Sequence, residues 1–228
     1  MSKNIVILFK MFGLLIILLV THTAFAGTIK EYSADMVDVG SGKVVSKLFV
    51  TEKKMRMDTS DTEGGRKGGK STSIIRMDLG KMYILQEDKT YMEIPMKGDK
   101  VPNIDELSAQ MMGGAAPKRK LENLGSETVN GYRAEKVRVT TTVNMMGQTH
   151  TMTHYEWKAK EFDVPLRTQD ENGEQTVELR NIKVGAPNAS VFEIPAGYKK
   201  NTQLEDAMKQ MPSAKEIEEM MKQMPNAK

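Results

Sequence analysis

The sequence predicts a mainly β protein built on a single antiparallel sheet, and three observations carry that prediction. From Thr28 to Lys200, short runs rich in β-branched and aromatic residues alternate with turn residues. Asn130-Gly131 and Asn172-Gly173 are two-residue turn signals, dipeptides that accept positive φ at low cost. No segment between the runs has the length of a crossover helix, which argues against βαβ units.

The strands follow in order. Residues 43–50 (KVVSKLFV) are β-branched and aromatic. Residues 74–78 and 81–86 flank a turn at Leu79-Gly80, and Glu87-Asp88 turns into residues 90–94, which Pro95 ends. After Asn130-Gly131 comes a long alternating segment, 132–143, which Gly147 turns into 149–159. Asn172-Gly173 then joins residues 164–168 to 175–184.

Three short helices of one design interrupt or follow the strands. Asn103-x-x-Glu106 reads as a capped start, with Ile104, Leu107 and Met111 on one stripe. Thr202-x-x-Glu205 opens the second, with Leu204, Ala207, Met208 and Met211. Ser213-x-x-Glu216 opens the third, with Ile217, Met220, Met221 and Met224. The last two are copies, since KQMPSAK at 209–215 recurs as KQMPNAK at 222–228, and Pro212 and Pro225 each stop a helix. Helices this short need an apolar surface to lie on.

The N-terminus predicts the compartment. Lys3 and Lys10 supply positive charge, residues 11–20 are an unbroken short apolar run, and Ala24-Phe25-Ala26 is an A-x-A cleavage site. This is the layout of a secretory signal peptide over residues 1–26, and the run is short for a bilayer span. The mature chain is expected to start near Gly27 and to be periplasmic or secreted, without a membrane span. The absence of cysteine excludes disulfides, thiol chemistry and a lipidated N-terminal Cys. Loss of Lys3 and Lys10 takes 33 basic residues to 31 against 30 acidic ones, a balance that argues against nucleic acid as a partner. Methionine is the oddity, with 19 residues against one tryptophan, and only Met1 and Met11 leave with the signal.

Two motifs invite chemistry. Gly64 to Ser71 spells the phosphate-cradling pattern G-x-x-x-x-G-K-[ST]. That pattern needs a buried strand before it and a helix after it. Here Asp58-Thr-Ser-Asp-Thr-Glu63 precedes and the β-favouring Ser71-Thr-Ser-Ile-Ile-Arg76 follows, so the segment reads as a mobile hairpin tip and no nucleotide is expected. The second motif is Met145, Met146, His150, Met152 and His154, soft donors suited to Cu(I) or Ag(I). On a strand, residues i and i+4 stand about 13–14 Å apart, too far to share one ion without a bend. The opposite face carries Tyr155 and Trp157, the expected core side, which would leave the His/Met face toward solvent. No nucleophile–base or metalloprotease motif occurs, and the paired carboxylates Asp35/Asp38 and Asp170/Glu171 sit at turns. The expectation is a protein without catalysis and without a cofactor.

Several phrases together resemble an exported bacterial family described only as a domain of unknown function, DUF4412, itself similar to the LolA/LolB lipoprotein-carrier superfamily. They are KLFVTEKKMRMD (47–58), IIRMDLGKMYILQEDKTYMEIP (74–95), LGSETVNGYRAEKVRV (124–139), WKAKEFDVPLRT (157–168) and VFEIPAGYKK (191–200). The resemblance spans Tyr32 to Lys200 and implies a half-open antiparallel barrel over residues 27–200, with a Met-rich helical tail over 201–228. It also implies that an acyl chain lies between the sheet and short covering helices; no functional residue of the carriers matches by motif.

From the residues themselves, Leu48, Val50, Val137, Val139, Tyr155 and Trp157 are the expected apolar cleft, on the apolar phase of their strands. The three Met-bearing stripes are the expected lid, methionine being adaptable enough to repack. The leading expectation is a periplasmic carrier for a hydrophobic molecule or acyl chain. The alternatives are a Cu(I)/Ag(I)-binding protein and a protein docking on another envelope component through its C-terminal helices.

Overall fold

A computed structural model describes residues 29–60, 70–96, 118–145 and 148–202 of the 228-residue chain. They form one sheet of twelve strands. The strands are β1 (Tyr32–Asp38), β2 (Val44–Thr51), β3 (Lys54–Thr59), β4 (Ser71–Arg76), β5 (Lys81–Leu85), β6 (Thr90–Pro95), β7 (Lys118–Val129), β8 (Tyr132–Met145), β9 (Gln148–Ala159), β10 (Arg167–Asp170), β11 (Thr176–Val184) and β12 (Lys199–Lys200).

Their order across the sheet is β12-β6-β5-β4-β3-β2-β1-β11-β10-β9-β8-β7. Two meanders, β1–β6 and β7–β11, therefore meet where β1 pairs antiparallel with β11. Every pair is antiparallel except β12 with β6. β12 and β7 are the two ends of the sheet and do not pair, so it is curled but not closed, the mainly β half-open architecture that the sequence predicted. Among the described residues the only helical pieces are the 3-10 turns Met77–Leu79 and Ala189–Phe192, and none is long and apolar enough to cross a membrane. The three predicted helices and the signal segment lie outside the described residues.

Turn chemistry sets the registers. Asn130 and Gly131 both have positive φ, 50° and 84°, as a two-residue hairpin turn requires, and Val129 pairs with Tyr132 across it. The Asn130 amide also donates to the Leu179 carbonyl at 2.7 Å, tying that turn to β11. Asn181, at φ 52°, lies in the stretch of β11 opposite the register shift in β1, and its amide donates to Asp35 Oδ2 at 2.9 Å. Gly80 adopts the left-handed conformation that ends the 3-10 turn after β4, so the strand predicted for 74–78 runs instead over Ser71–Arg76. The strand predicted at 164–168 forms three residues later as β10, because Val164 and Leu166 bury in the approach to it while the Leu166 N–H bonds the Trp157 carbonyl.

Candidate functional site

Direct cross-strand partners share a face of the sheet, so the ladders define what the first meander presents. One row runs Tyr32, Val50, Met55, Ile75, Met82, Ile94 across β1 to β6. The next runs Ala34, Leu48, Met57, Ser73, Ile84, Met92 on the same face. These two rows make an apolar surface six strands wide, interrupted by one serine. Most of its side chains are buried, in a core around Tyr32, Leu48 and Val50 and a second around Ile75, Met82, Ile94 and Met96.

The opposite face of the same strands is sealed by the chain's own C-terminal segment. Ile74, Tyr83, Leu85 and Phe192 form a third core, with Phe49, Tyr91, Val191, Ile194 and Tyr198 packed on it. Arg56 fixes this cover by donating to the Val191 carbonyl at 2.6 Å, and Arg76 holds Glu193 at 2.8 Å while also pairing Asp78. The Arg76 hydrogen bond holds the Asp78 carboxyl below its ordinary range.

In the second meander the register of the long β8–β9 hairpin decides which side chains meet. Met145 stands opposite Gln148, so odd residues of β8 face even residues of β9. Val137 pairs with Glu156 and Val139 with His154, whereas Tyr155 pairs with Arg138 and Trp157 with Lys136. The six residues expected to line one cleft are thus divided. Leu48, Val50 and Trp157 belong to the large core, with Tyr155 packed against it; Val137 and Val139, both buried, lie on the other side of the hairpin from Tyr155 and Trp157. Alternation within each strand was legible, but the relative phase of two strands depends on their register, which alternation does not reveal.

The expectation that the His/Met face of β9 turns to solvent is also corrected in part. Near the hairpin tip it holds, since His150 is exposed and Met152 is 38% exposed. Toward the base, Val139 is fully buried and Glu156 is 2% exposed. Glu156 Oε1 accepts from His154 Nε2 at 3.0 Å, and Oε2 meets Lys158 Nζ at 2.8 Å as an ion pair outside hydrogen-bonding geometry. Burial pushes the Glu156 carboxyl upward, but the His154 hydrogen bond and the Lys158 charge outweigh it and hold the group below its ordinary value. His154 Nε2 is thus engaged by a carboxylate. The side chains of Met145 and Met146 lie outside the described residues.

On the hairpin's other face, Trp157 belongs to the large core and also meets two cations. Lys136 Nζ stands 4.8 Å from its ring and Arg167 5.1 Å, and its indole N–H donates to Glu127. Lys136 also lies 5.3 Å from the Tyr155 ring, and Arg138 5.7 Å. Arg167 and Arg180 both pair with the buried Glu178. Tyr32, fully buried in the large core, has its phenol pushed up by burial and by nearby Asp163.

The sequence reading did not single out Met55, Met57, Ile75, Met82, Ile84, Met92 and Ile94, which share the apolar face of β1–β6. The signal was present in Lys54-Met-Arg-Met-Asp58, which alternates apolar and charged residues and forms β3. The stripes Ile104, Leu107, Met111; Leu204, Met208, Met211; and Ile217, Met220, Met221, Met224 lie outside the described residues. Where a phosphate loop needs a helix, strand β4 begins at Ser71.

Comparisons with known proteins follow this geometry. No curated protein matches the sequence. Three solved structures are similar at low levels. A candidate lipoprotein from Parabacteroides distasonis shares 14% identity at TM-score 0.33, covering 70% of this chain and 98% of that one. LprF from Mycobacterium bovis shares 15% at 0.32, covering 72% and 91%. A DUF1329 family protein from Desulfovibrio piger shares 11% at 0.27, covering 74% and 91%. Likeness at this level transfers neither ligand nor mechanism. The profile of the family described as domain of unknown function DUF4412 matches residues 32–148, half the chain, and the protein belongs to that family.

Proposed function

We propose that this protein is an exported carrier that holds a hydrophobic molecule or acyl chain against the apolar face of β1–β6, without catalysis. The observation that carries this reading is the pair of ladder-aligned rows, Tyr32 to Ile94 and Ala34 to Met92, on one face of a sheet whose ends do not close. The signal-peptide pattern of residues 1–26 supports export. Methionines at 55, 57, 82 and 92 give the surface side chains that repack around partners of different shape.

The energetics fit transient holding. An acyl chain of about 15 carbons gains at most about 12 kcal/mol at roughly 0.8 kcal/mol per buried methylene. Ordering and translational costs remove much of that, leaving affinities on the order of micromolar.

Native mass spectrometry of the protein purified gently from the cell envelope tests the reading, together with titration by a fluorescent fatty acid. The expected result is an adduct mass and saturable probe uptake. A clean apo mass with no uptake would remove the carrier reading. Met55→Lys, which sets a charge in the row at a half-buried position, should lower uptake by about tenfold or more.

A further inference from the structure

We propose that β7 is a self-association edge, through which two copies of the chain pair antiparallel about Leu121. The two ends of the sheet are built differently. The β6 end is covered by β12, with Lys199 donating to the Lys89 carbonyl and Asn201 to the Tyr91 carbonyl. The β7 end is a twelve-residue strand whose partner among the described residues is β8, and all its side chains but Arg119 and Val129 are exposed. It displays Leu121, 42% exposed, and Leu124, 39% exposed.

Its geometry admits a second strand over a defined stretch. The register with β8 is unbroken from Lys118 to Asn123 and then shifts between Asn123 and Ser126, where Gly125 has φ 108° and its N–H bonds Asn123 Oδ1 at 2.8 Å. The straight segment is therefore Lys118–Asn123, and the bulge bounds it.

Charge selects the partner. In a two-fold antiparallel pair within one sheet, each face continues onto the same face of the second copy, so odd residues meet odd and even meet even. Centring on Leu121 places Lys120 opposite Glu122 of the second copy, twice by symmetry, and stacks leucine on leucine at the axis. Centring on Lys120 sets lysine against lysine at the axis, which offsets part of the Lys118–Glu122 pairing gained on either side, and centring on Glu122 sets glutamate against glutamate. Glu122 already lies beside Arg138 on that face, at 3.1 Å, so the acid is held in place. The same cations and the bulge discourage indiscriminate edge pairing, which favours this one register with a copy of itself. So short a ladder buries far less than the roughly 1,200–2,000 Å² of a stable interface, and the dimer is weak and concentration-dependent.

Analytical ultracentrifugation of the purified protein across a concentration series, with two charge variants, tests the proposal. The wild type should show a concentration-dependent dimer that weakens with salt. Lys120→Glu and Glu122→Lys, each alone, should weaken association by about tenfold. An equimolar mixture of the two should restore it, because each variant then faces its opposite. Circular dichroism of each variant checks the fold, and Leu121→Pro, blocking the ladder at an exposed edge, should give a monomer. A wild type that stays monomeric to millimolar concentration overturns the proposal. So does a dimer that survives Leu121→Pro, or one that the mixture fails to restore.

Discussion

The two meanders of this sheet share one core yet bury different side chains beside it. In β1–β6 both faces are covered by hydrocarbon: methionine and isoleucine rows on one side, and Phe192 with its aromatic neighbours on the other. In the second meander β7–β9 are long and rich in threonine and charge, and beside its share of the large core the buried groups include Glu156, Glu178, Thr141 and Thr168. There Trp157 is covered by Lys136 and Arg167, and Glu156 is neutralised by neighbours on its own strand. Both meanders gain stability from area removed from water, since Val129, Phe162, Val164, Leu166, Val177 and Leu179 share the large core with the first; the second depends in addition on its buried charges keeping their partners. The proposed ligand surface lies in the first, where hydrocarbon contacts tolerate repacking better than ion pairs do.

Mutations can break or sharpen that contrast. The largest effect is expected at Phe192→Ala, which unroofs the outer face of β3–β5 and should cost about 3–5 kcal/mol in urea denaturation. Next, Glu156→Gln should cost about 1–3 kcal/mol, since it leaves Lys158 and His154 without their carboxylate. This variant also carries a pH signature. The folded Glu156 carboxyl titrates below its ordinary value of 4.5, so its stabilisation is present above that value and is lost as pH falls through the lower folded value. The variant's stability should therefore fall less steeply than the wild type's on acidification below 4.5, measured by denaturation at a series of pH values.

A smaller loss, about 1 kcal/mol, is expected for Trp157→Phe, which keeps a ring under the cations but removes the hydrogen bond to Glu127. Smallest of all is Arg138→Gln. Its ion pair with Glu122 is exposed on both sides, and the thermal midpoint should stay that of the wild type. If Arg138→Gln cost more than Phe192→Ala, the contrast between the meanders would be wrong.

Legibility followed the same division. The hairpin of Asn130-Gly131 was readable because that dipeptide accepts two positive φ values in sequence. The runs at 43–50, 81–86 and 90–94 were readable because β-branched and aromatic residues cluster there. β7 was not, since KRKLENLGSETV is exposed nearly throughout and an edge strand with no buried face leaves no apolar alternation. β3 did alternate, with its methionines between Lys54, Arg56 and Asp58, but was not singled out as a strand. The apolar face of the first meander was half legible: Leu48 and Val50 were read as apolar strand positions, and Ile75 and Met82 were not, because β4 and β5 each carry apolar residues on both faces and give no preferred side.

The sequence by itself determined an antiparallel sheet, its main turns, and a family assignment, because turn dipeptides and strand composition act over a few residues. Only the tertiary structure decided that Val137 lies with Glu156 rather than with Trp157, that β1 joins β11, and that residues 189–198 cover the outer face. Those facts depend on register and on contacts across more than a hundred residues, and a one-residue slip in pairing turns every side chain of a strand to the other face.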